Sequence, residues 1–432
     1  MEDTAVEEPE VSGAAEFAPA LVAAHPHGNS VAVAIGPELR AFDLRAGLPV
    51  SLSDDCGGRS HSDAIRAICF SVSGALFASA GDDKLVKVWK TDSWRCIWTI
   101  ASEKRVSAVA ISNDDLYVTF ADKFGVVWLV TLREDSAEPV SVDNKPVSIL
   151  GHYCSIITSM KFSPDGRFIA TADRDFKIRV TLFPKNPLKG AHEIQSFCLG
   201  HTDFVSCITF TSISENQSFL ISGGGDSTVR LWDYVNGCLL DTFQVRDKMG
   251  ELLGPNETDD SSLAIADICP SNDGSLVAVA IQSGVMLLAC DLVGKKLSFL
   301  KVIVMEKSYI PTSLASSLSS ELLWTVMGAA NMPNQASSHL LTRLRIIPCF
   351  QKDRLSSSDA GPATLEDGDV PHGEKLLLAL QGSLDVTKQE EVLASVLAAL
   401  KVSVHKMLVK KHYSEERKEQ RKRGRNDKKM KN

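Results

Sequence analysis

Three histidines, His61, His152 and His201, are the side chains best suited by type to metal ligation or general-base work, since an imidazole titrates near neutral pH and offers a ligating nitrogen. A second candidate is Gly223-Gly-Gly-Asp226, which has the composition of a phosphate loop. Both have a plainer explanation. Each histidine recurs at a fixed place relative to residues downstream of it, which is how a repeated scaffold behaves. The glycine run leads into the β-branched segment Thr228–Trp232 and not into a helix N-terminus, whose amides would be needed to hold an anion. No arrangement of Ser, Cys or carboxylate residues has catalytic spacing. The expectation is a protein that is not an enzyme, with no cofactor and no metal.

The elements that carry these histidines are short strands. From Gly200 to Asp233 the chain reads GHTDFVSCITFTSISENQSFLISGGGDSTVRLWD, with β-branched and aromatic runs separated by Gly, Ser, Asn and Asp turn residues. This has the form of a WD40 repeat, a four-stranded antiparallel unit of about 40–45 residues. One such sheet cannot bury both its faces, so siblings are required. Counting back from Trp232, Asp226 lies six residues earlier, Ser222 ten earlier, and His201 opens the unit; Asp83, Ser79 and His61 precede Trp89 in the same way. A third copy has His152, Thr171 and Asp175, but ends at Thr181 where Trp is expected. Resemblance to well-formed repeats implies that each set is a hydrogen-bonded tetrad that locks a turn.

Repetition points to an all-β fold, a WD40 β-propeller of seven blades followed by a C-terminal amphipathic helix and a basic tail. Residues 1–16, with six acids and no bases, read as a disordered acidic leader. The propeller takes 17–350. Its first blade is worn, with strands at Leu21–Ala24, Ser30–Ile35 and Leu39–Leu44. Blade three is also degenerate, with Asp122 six residues before Trp128 but Val118 at the Ser/Thr place. Val245–Ser262 reads as a long loop, and blade seven is assembled from Lys301–Val304, Leu322–Met327 and Leu340–Ile347. A linker spans 351–384. The capping box Thr387-Lys-Gln-Glu390 then opens an amphipathic helix over 385–412, and 413–432 is a basic disordered tail.

Charge divides the chain. Residues 401–432 hold 13 Lys/Arg against 4 Asp/Glu, whereas residues 1–400 hold 33 against 50. An acidic body repels phosphate backbones, so any nucleic-acid role is local or shared with a partner. The tail reads as a solvated segment, a nuclear-import signal or a nucleic-acid arm, and a nuclear location is the expectation. The ten cysteines are scattered singly, which fits reduced thiols, and no run of about 18 uncharged apolar residues suggests a membrane span.

Function is best sought where one copy departs from the others. Blade four reads Asp173-Arg-Asp-Phe-Lys-Ile-Arg179 where blade two has Gly81-Asp-Asp-Lys-Leu-Val-Lys87 and blade five Gly224-Gly-Asp-Ser-Thr-Val-Arg230. Two cations and an aromatic ring have been gained at one end, the residue types that anchor protein interfaces. Arg179 is matched by Lys87 and Arg230, so its charge can be a habit of the repeat.

The runs Phe162–Val180 and Ser196–Ser206, with Ala121-Asp-Lys-Phe-Gly125, resemble the WD-repeat non-catalytic subunit of tRNA (guanine-N7) methyltransferase. That resemblance implies a heterodimer in which a separate S-adenosylmethionine-dependent subunit methylates tRNA while the propeller stabilises it, the contact lying on blades three and four. Carried over residue by residue, it nominates Lys123, Arg174, Asp175, Lys177 and Arg179 as partner-binding residues. The alternative is a general propeller scaffold, such as a ubiquitin-ligase substrate receptor or a ribosome-assembly factor.

Overall fold

The computed structural model describes residues 20–54, 61–132, 145–152, 155–214, 217–253, 263–306, 309–329, 342–348, 350–351 and 364–381. The acidic leader, the amphipathic helix expected over 385–412 and the basic tail lie outside them. Among the described residues, twenty-seven strands form seven antiparallel sheets. Blade one is β1 (Leu21–Ala24), β2 (Ser30–Ile35), β3 (Glu38–Asp43) and β4 (Leu48–Pro49); blade two is β5 (Ile65–Phe70), β6 (Leu76–Gly81), β7 (Leu85–Lys90) and β8 (Arg95–Ala101). Blade three is β9 (Val106–Ile111), β10 (Tyr117–Asp122), β11 (Val126–Thr131) and β12 (Val147–Gly151); blade four is β13 (Ile157–Phe162), β14 (Phe168–Asp173), β15 (Lys177–Leu182) and β16 (Ile194–Leu199). Blade five is β17 (Val205–Ser214), β18 (Gln217–Gly224), β19 (Thr228–Asp233) and β20 (Cys238–Gln244). Blade six is β21 (Asp267–Pro270), β22 (Leu276–Ile281), β23 (Gly284–Asp291) and β24 (Lys296–Val304), and blade seven has three strands, β25 (Tyr309–Ser316), β26 (Leu323–Ala329) and β27 (Thr342–Ile347). The seven-bladed all-β propeller is therefore the fold.

Apolar side chains gather in seven clusters, each bridging one pair of neighbouring blades. Strand alternation produces this. In β22, Val277, Val279 and Ile281 pack toward blade five while Leu276, Ala278 and Ala280 pack toward blade seven, because successive side chains leave a strand on opposite faces. A sheet buried on both faces reads as a continuous apolar run, which is how LVAVAI reads.

The ring closes between blades seven and one. Thr312 Oγ1 donates to the Ala20 carbonyl at 2.7 Å. Blade seven has no fourth strand among the described residues; helix α2 (Glu374–Gln381), inside the stretch read as linker, covers that place. Leu376, Leu377 and Leu380 pack with Phe42, Trp324, Leu344 and Ile346, and Gln381 Oε1 accepts from the Leu344 amide at 2.9 Å. Two other readings are corrected here. Lys301–Val304 completes blade six as part of β24, and Val245–Leu253, read as loop, forms helix α1, whose Val245 and Met249 fill the seam between blades five and six. Between blades six and seven, the Asp267 carboxylate accepts from the Leu314 amide at 2.8 Å and the Ser313 hydroxyl at 3.1 Å; desolvation raises its pKa despite these donors.

Candidate partner-binding face

At one end of the ring, the turn between the second and third strands of blades three, four and five is hydrogen-bonded to the loop that enters the first strand. Lys123 N donates to the Arg105 carbonyl, Arg174 N to that of Ile156 and Gly225 N to that of Phe204. Blades two and five show the expected tetrads. In blade five, Trp232 Nε1 donates to Ser222 Oγ at 2.8 Å, Ser222 meets His201 Nε2 at 2.8 Å, and His201 Nδ1 meets Asp226 Oδ2 at 2.9 Å. In blade two the corresponding distances for Trp89, Ser79, His61 and Asp83 are 3.1, 2.8 and 2.8 Å. An imidazole proton on Nδ1 is donated to the carboxylate. Burial alone would raise the pKa of Asp83 and Asp226, but hydrogen bonding and charge from His61 and His201, with backbone donors, outweigh it and hold both carboxyls below their ordinary value. The histidines are structural, and among the described residues no group of three His, Cys, Asp or Glu side chains could hold a metal ion.

Blade four departs from the spacing rule. Its histidine pairs with Asp173, not Asp175: His152 Nδ1 lies 2.9 Å from Asp173 Oδ2, and His152 Nε2 lies 2.7 Å from Thr171 Oγ1. Asp173 ends β14 at the register where β6 and β18 end in Gly81 and Gly224. From there its Oδ1 accepts the amides of Asp175 and Lys177 at 2.8 and 3.1 Å, so one carboxylate both pins the histidine and clamps the turn. Asp175 is left exposed.

Blade three uses the same device. Asp122 ends β10, and its Oδ1 accepts the amides of Phe124 and Val126 at 2.8 and 3.2 Å, while Oδ2 accepts from Trp128 Nε1 at 3.0 Å. Trp128 is therefore not the repeat tryptophan. It pairs with Phe120 as Lys87 pairs with Ser79, so Phe120 holds the Ser/Thr place assigned above to Val118, and Val130 holds the tryptophan place. Moving the carboxylate two residues back onto the strand releases the old turn position, and it becomes Phe124 in blade three and Asp175 in blade four.

The released turns lie side by side. Gly125 has φ +79°, and a Cβ there would come within 2.1 Å of the Ser155 carbonyl and 2.8 Å of that of His152, so only glycine lets blade three's turn press against the loop entering blade four. Phe176 takes the left-handed position at φ 70°, filled by Lys84 and Ser227 in blades two and five. Around these turns, Lys104 and Lys123 place their ammonium groups 5.8 and 5.4 Å from the centre of the Phe124 ring, and Arg174 lies 6.0 Å from that of Phe204. Lys123, Asp175 and Lys177 are exposed and Arg174 is half-buried.

Arg179 stands apart. Its Nη1 donates to the Gly151 carbonyl at 3.0 Å and its Nε to Thr181 Oγ1 at 3.1 Å, using the guanidinium to tie β15 to the end of β12 in blade three, where blade four's own tryptophan is missing. Of the five nominated residues, the structure brings Lys123, Arg174, Asp175 and Lys177 to adjacent turns and sets Arg179 beneath them. Sequence reading missed Asp173, Phe124 and Lys104. The signal for the first two was the shared Ala-Asp-cation run, Ala121-Asp-Lys123 and Ala172-Asp-Arg174.

The family described as "tRNA methyltransferase TRM82 WD40 domain" matches residues 136–339, and a general WD40 repeat matches 56–90. Several proteins that this chain resembles are named as non-catalytic subunits of tRNA (guanine-N(7)-)-methyltransferase. It is similar to the subunit named wdr4 of Dictyostelium discoideum, 32% identical over 232 residues, covering 51% of this chain and 47% of that protein. To the human subunit WDR4 it is 38% identical over 176 residues, covering 41% and 39%. The chain thus spans about half the length, or less, of these relatives. The crystal structure of RRP9 WD40 repeats superposes with a TM-score of 0.56 at 19% identity, covering 74% of this chain and 90% of that one, a likeness of fold alone.

Proposed function

We propose that this propeller is the non-catalytic subunit of a tRNA (guanine-N7) methyltransferase, binding and stabilising a separate S-adenosylmethionine-dependent catalytic subunit in a nuclear heterodimer that forms N7-methylguanosine in tRNA. The observation that carries this reading is the paired turn of blades three and four, where carboxylates Asp122 and Asp173 hold the backbone and Lys123, Asp175 and Lys177 are exposed. Lys123, Arg174, Asp175 and Lys177 are the contact residues, and Arg179 positions the strand behind them. A body with excess acid binds tRNA weakly alone, so tRNA is engaged through the complex. Cations concentrated on one face suit acidic side chains on the catalytic subunit, and truncating one partner of a buried charge pair costs about 2–5 kcal/mol. The test is co-expression with the catalytic subunit. Arg174→Glu with Lys177→Glu should leave the melting temperature intact and abolish co-purification; a folded double variant that retains its partner in full would refute the assignment.

A further inference from the structure

We propose that Phe124 is the apolar anchor of this docking surface and that the catalytic subunit receives its ring in an apolar socket rimmed by carboxylates. The inference rests on the function proposed above and adds a residue, and a partner surface chemistry, that charge alone does not supply. Phe124 is 50% exposed, a large apolar side chain that the propeller's own core has not taken up. Its turn is rigid: Asp122 holds the Phe124 and Val126 amides, the Gly125 carbonyl accepts from His152 N at 2.7 Å, and the Cβ clearance at Gly125 leaves no room for another path. Lys104, from the loop entering blade three, and Lys123, the residue before it in the turn, both place an ammonium group over the ring. A preorganised ring loses little conformational entropy on association, and an aromatic flanked by cations has the composition of an interface hot spot. The charge of the surroundings selects the occupant. Residues 1–400 carry 33 basic against 50 acidic residues, so the lysines gathered at this ring run against the net acidity of the body and complement an acidic protein surface. Stacking of an RNA base is disfavoured by the net acidity of the surrounding body, which repels a phosphate backbone.

The experiment measures the Kd of the purified full chain for the purified catalytic subunit, with unfolding followed alongside. Phe124→Ala should weaken binding about 30-fold, the threshold of a hot spot, with an unchanged melting temperature. Phe124→Leu should recover most of the affinity. Should Phe124→Ala lower the melting temperature, Phe124→Gln, which keeps side-chain bulk on the turn but removes the apolar ring, takes its place with the same expected loss. If the Phe124 variant binds within threefold of the parent while Arg174→Glu/Lys177→Glu does not bind, the anchor is wrong and the docking surface stands. If neither set changes the Kd, both fall. A Phe124→Ala variant that loses affinity for isolated tRNA while keeping the catalytic subunit would overturn the proposal in favour of an RNA contact.

Discussion

Asp173 and Asp175 are two residues apart, and repeat spacing and geometry assign the anchoring role to different members of the pair, so removing each in turn is decisive. Asp173→Ala strips acceptors from His152 Nδ1 and from the amides of Asp175 and Lys177, donors now 2.8–3.1 Å from its carboxylate. An unsatisfied buried donor costs about 1–3 kcal/mol. His152 is buried and bears that cost in full, whereas the two amides belong to exposed residues and water replaces part of what they lose. The sum comes to about 3 kcal/mol, which for a domain of this size lowers Tm by about 5 °C. Asp175→Ala, at an exposed position, should stay within about 0.5 kcal/mol. Differential scanning calorimetry or urea unfolding of the two variants distinguishes them, and titration with the catalytic subunit supplies the converse: Asp175→Ala is expected to act on binding more than on stability. A larger destabilisation from Asp175→Ala than from Asp173→Ala would return the tetrad to the spacing rule and refute the argument that the carboxylate has moved.

Leu380→Ala, which hollows the closure between α2, β3 and β27, should cost about 2–5 kcal/mol and show as a lower urea midpoint. Arg179→Ala should lose about 1–3 kcal/mol through the Gly151 and Thr181 contacts while the affinity of the folded protein for its partner changes little, a separation readable by combining melting and titration. Asp83 and Asp226 are held below the ordinary carboxylate value of 3.8, so the stability they contribute is present above that value and is lost as pH falls through their lower folded-state values. Urea midpoints measured from pH 6 down to pH 2 should therefore fall most steeply below about 4, and Asp226→Asn should flatten part of that fall.

What could be read from the letters was whatever repeats. Alternation and turn residues place β1 and β2 at their observed limits, and the His–Ser–Asp–Trp sets of blades two and five form as their spacing implies, because identical local chemistry produces identical sheets. Readings failed where a copy keeps the shape but moves the residue that makes it. Counting back from a tryptophan presumes a fixed turn, and blades three and four carry their carboxylate at the strand end, so the count selected Asp175 and mistook Trp128 for the repeat tryptophan. Phe124 was passed over for the same reason, since its exposure follows from the relocation of Asp122. Helix α2 escaped notice because Glu374–Gln381 is short and follows a polar, turn-rich stretch; its contribution is visible only against Phe42 and Leu344, which are remote in sequence.

The junction between the first and last sheets has a consequence for biogenesis. Its two halves, and the helical brace across them, come from segments separated by nearly the whole propeller sequence, so a ribosome must deliver Gln381 before the apolar flank of the first sheet is sheltered. Until then that flank, centred on Phe42, Val31 and Val33, stays open to water and to other nascent chains. A variant that weakens the brace, such as Leu380→Ala, is therefore expected to lower the yield of soluble protein during synthesis as well as the stability of the finished molecule.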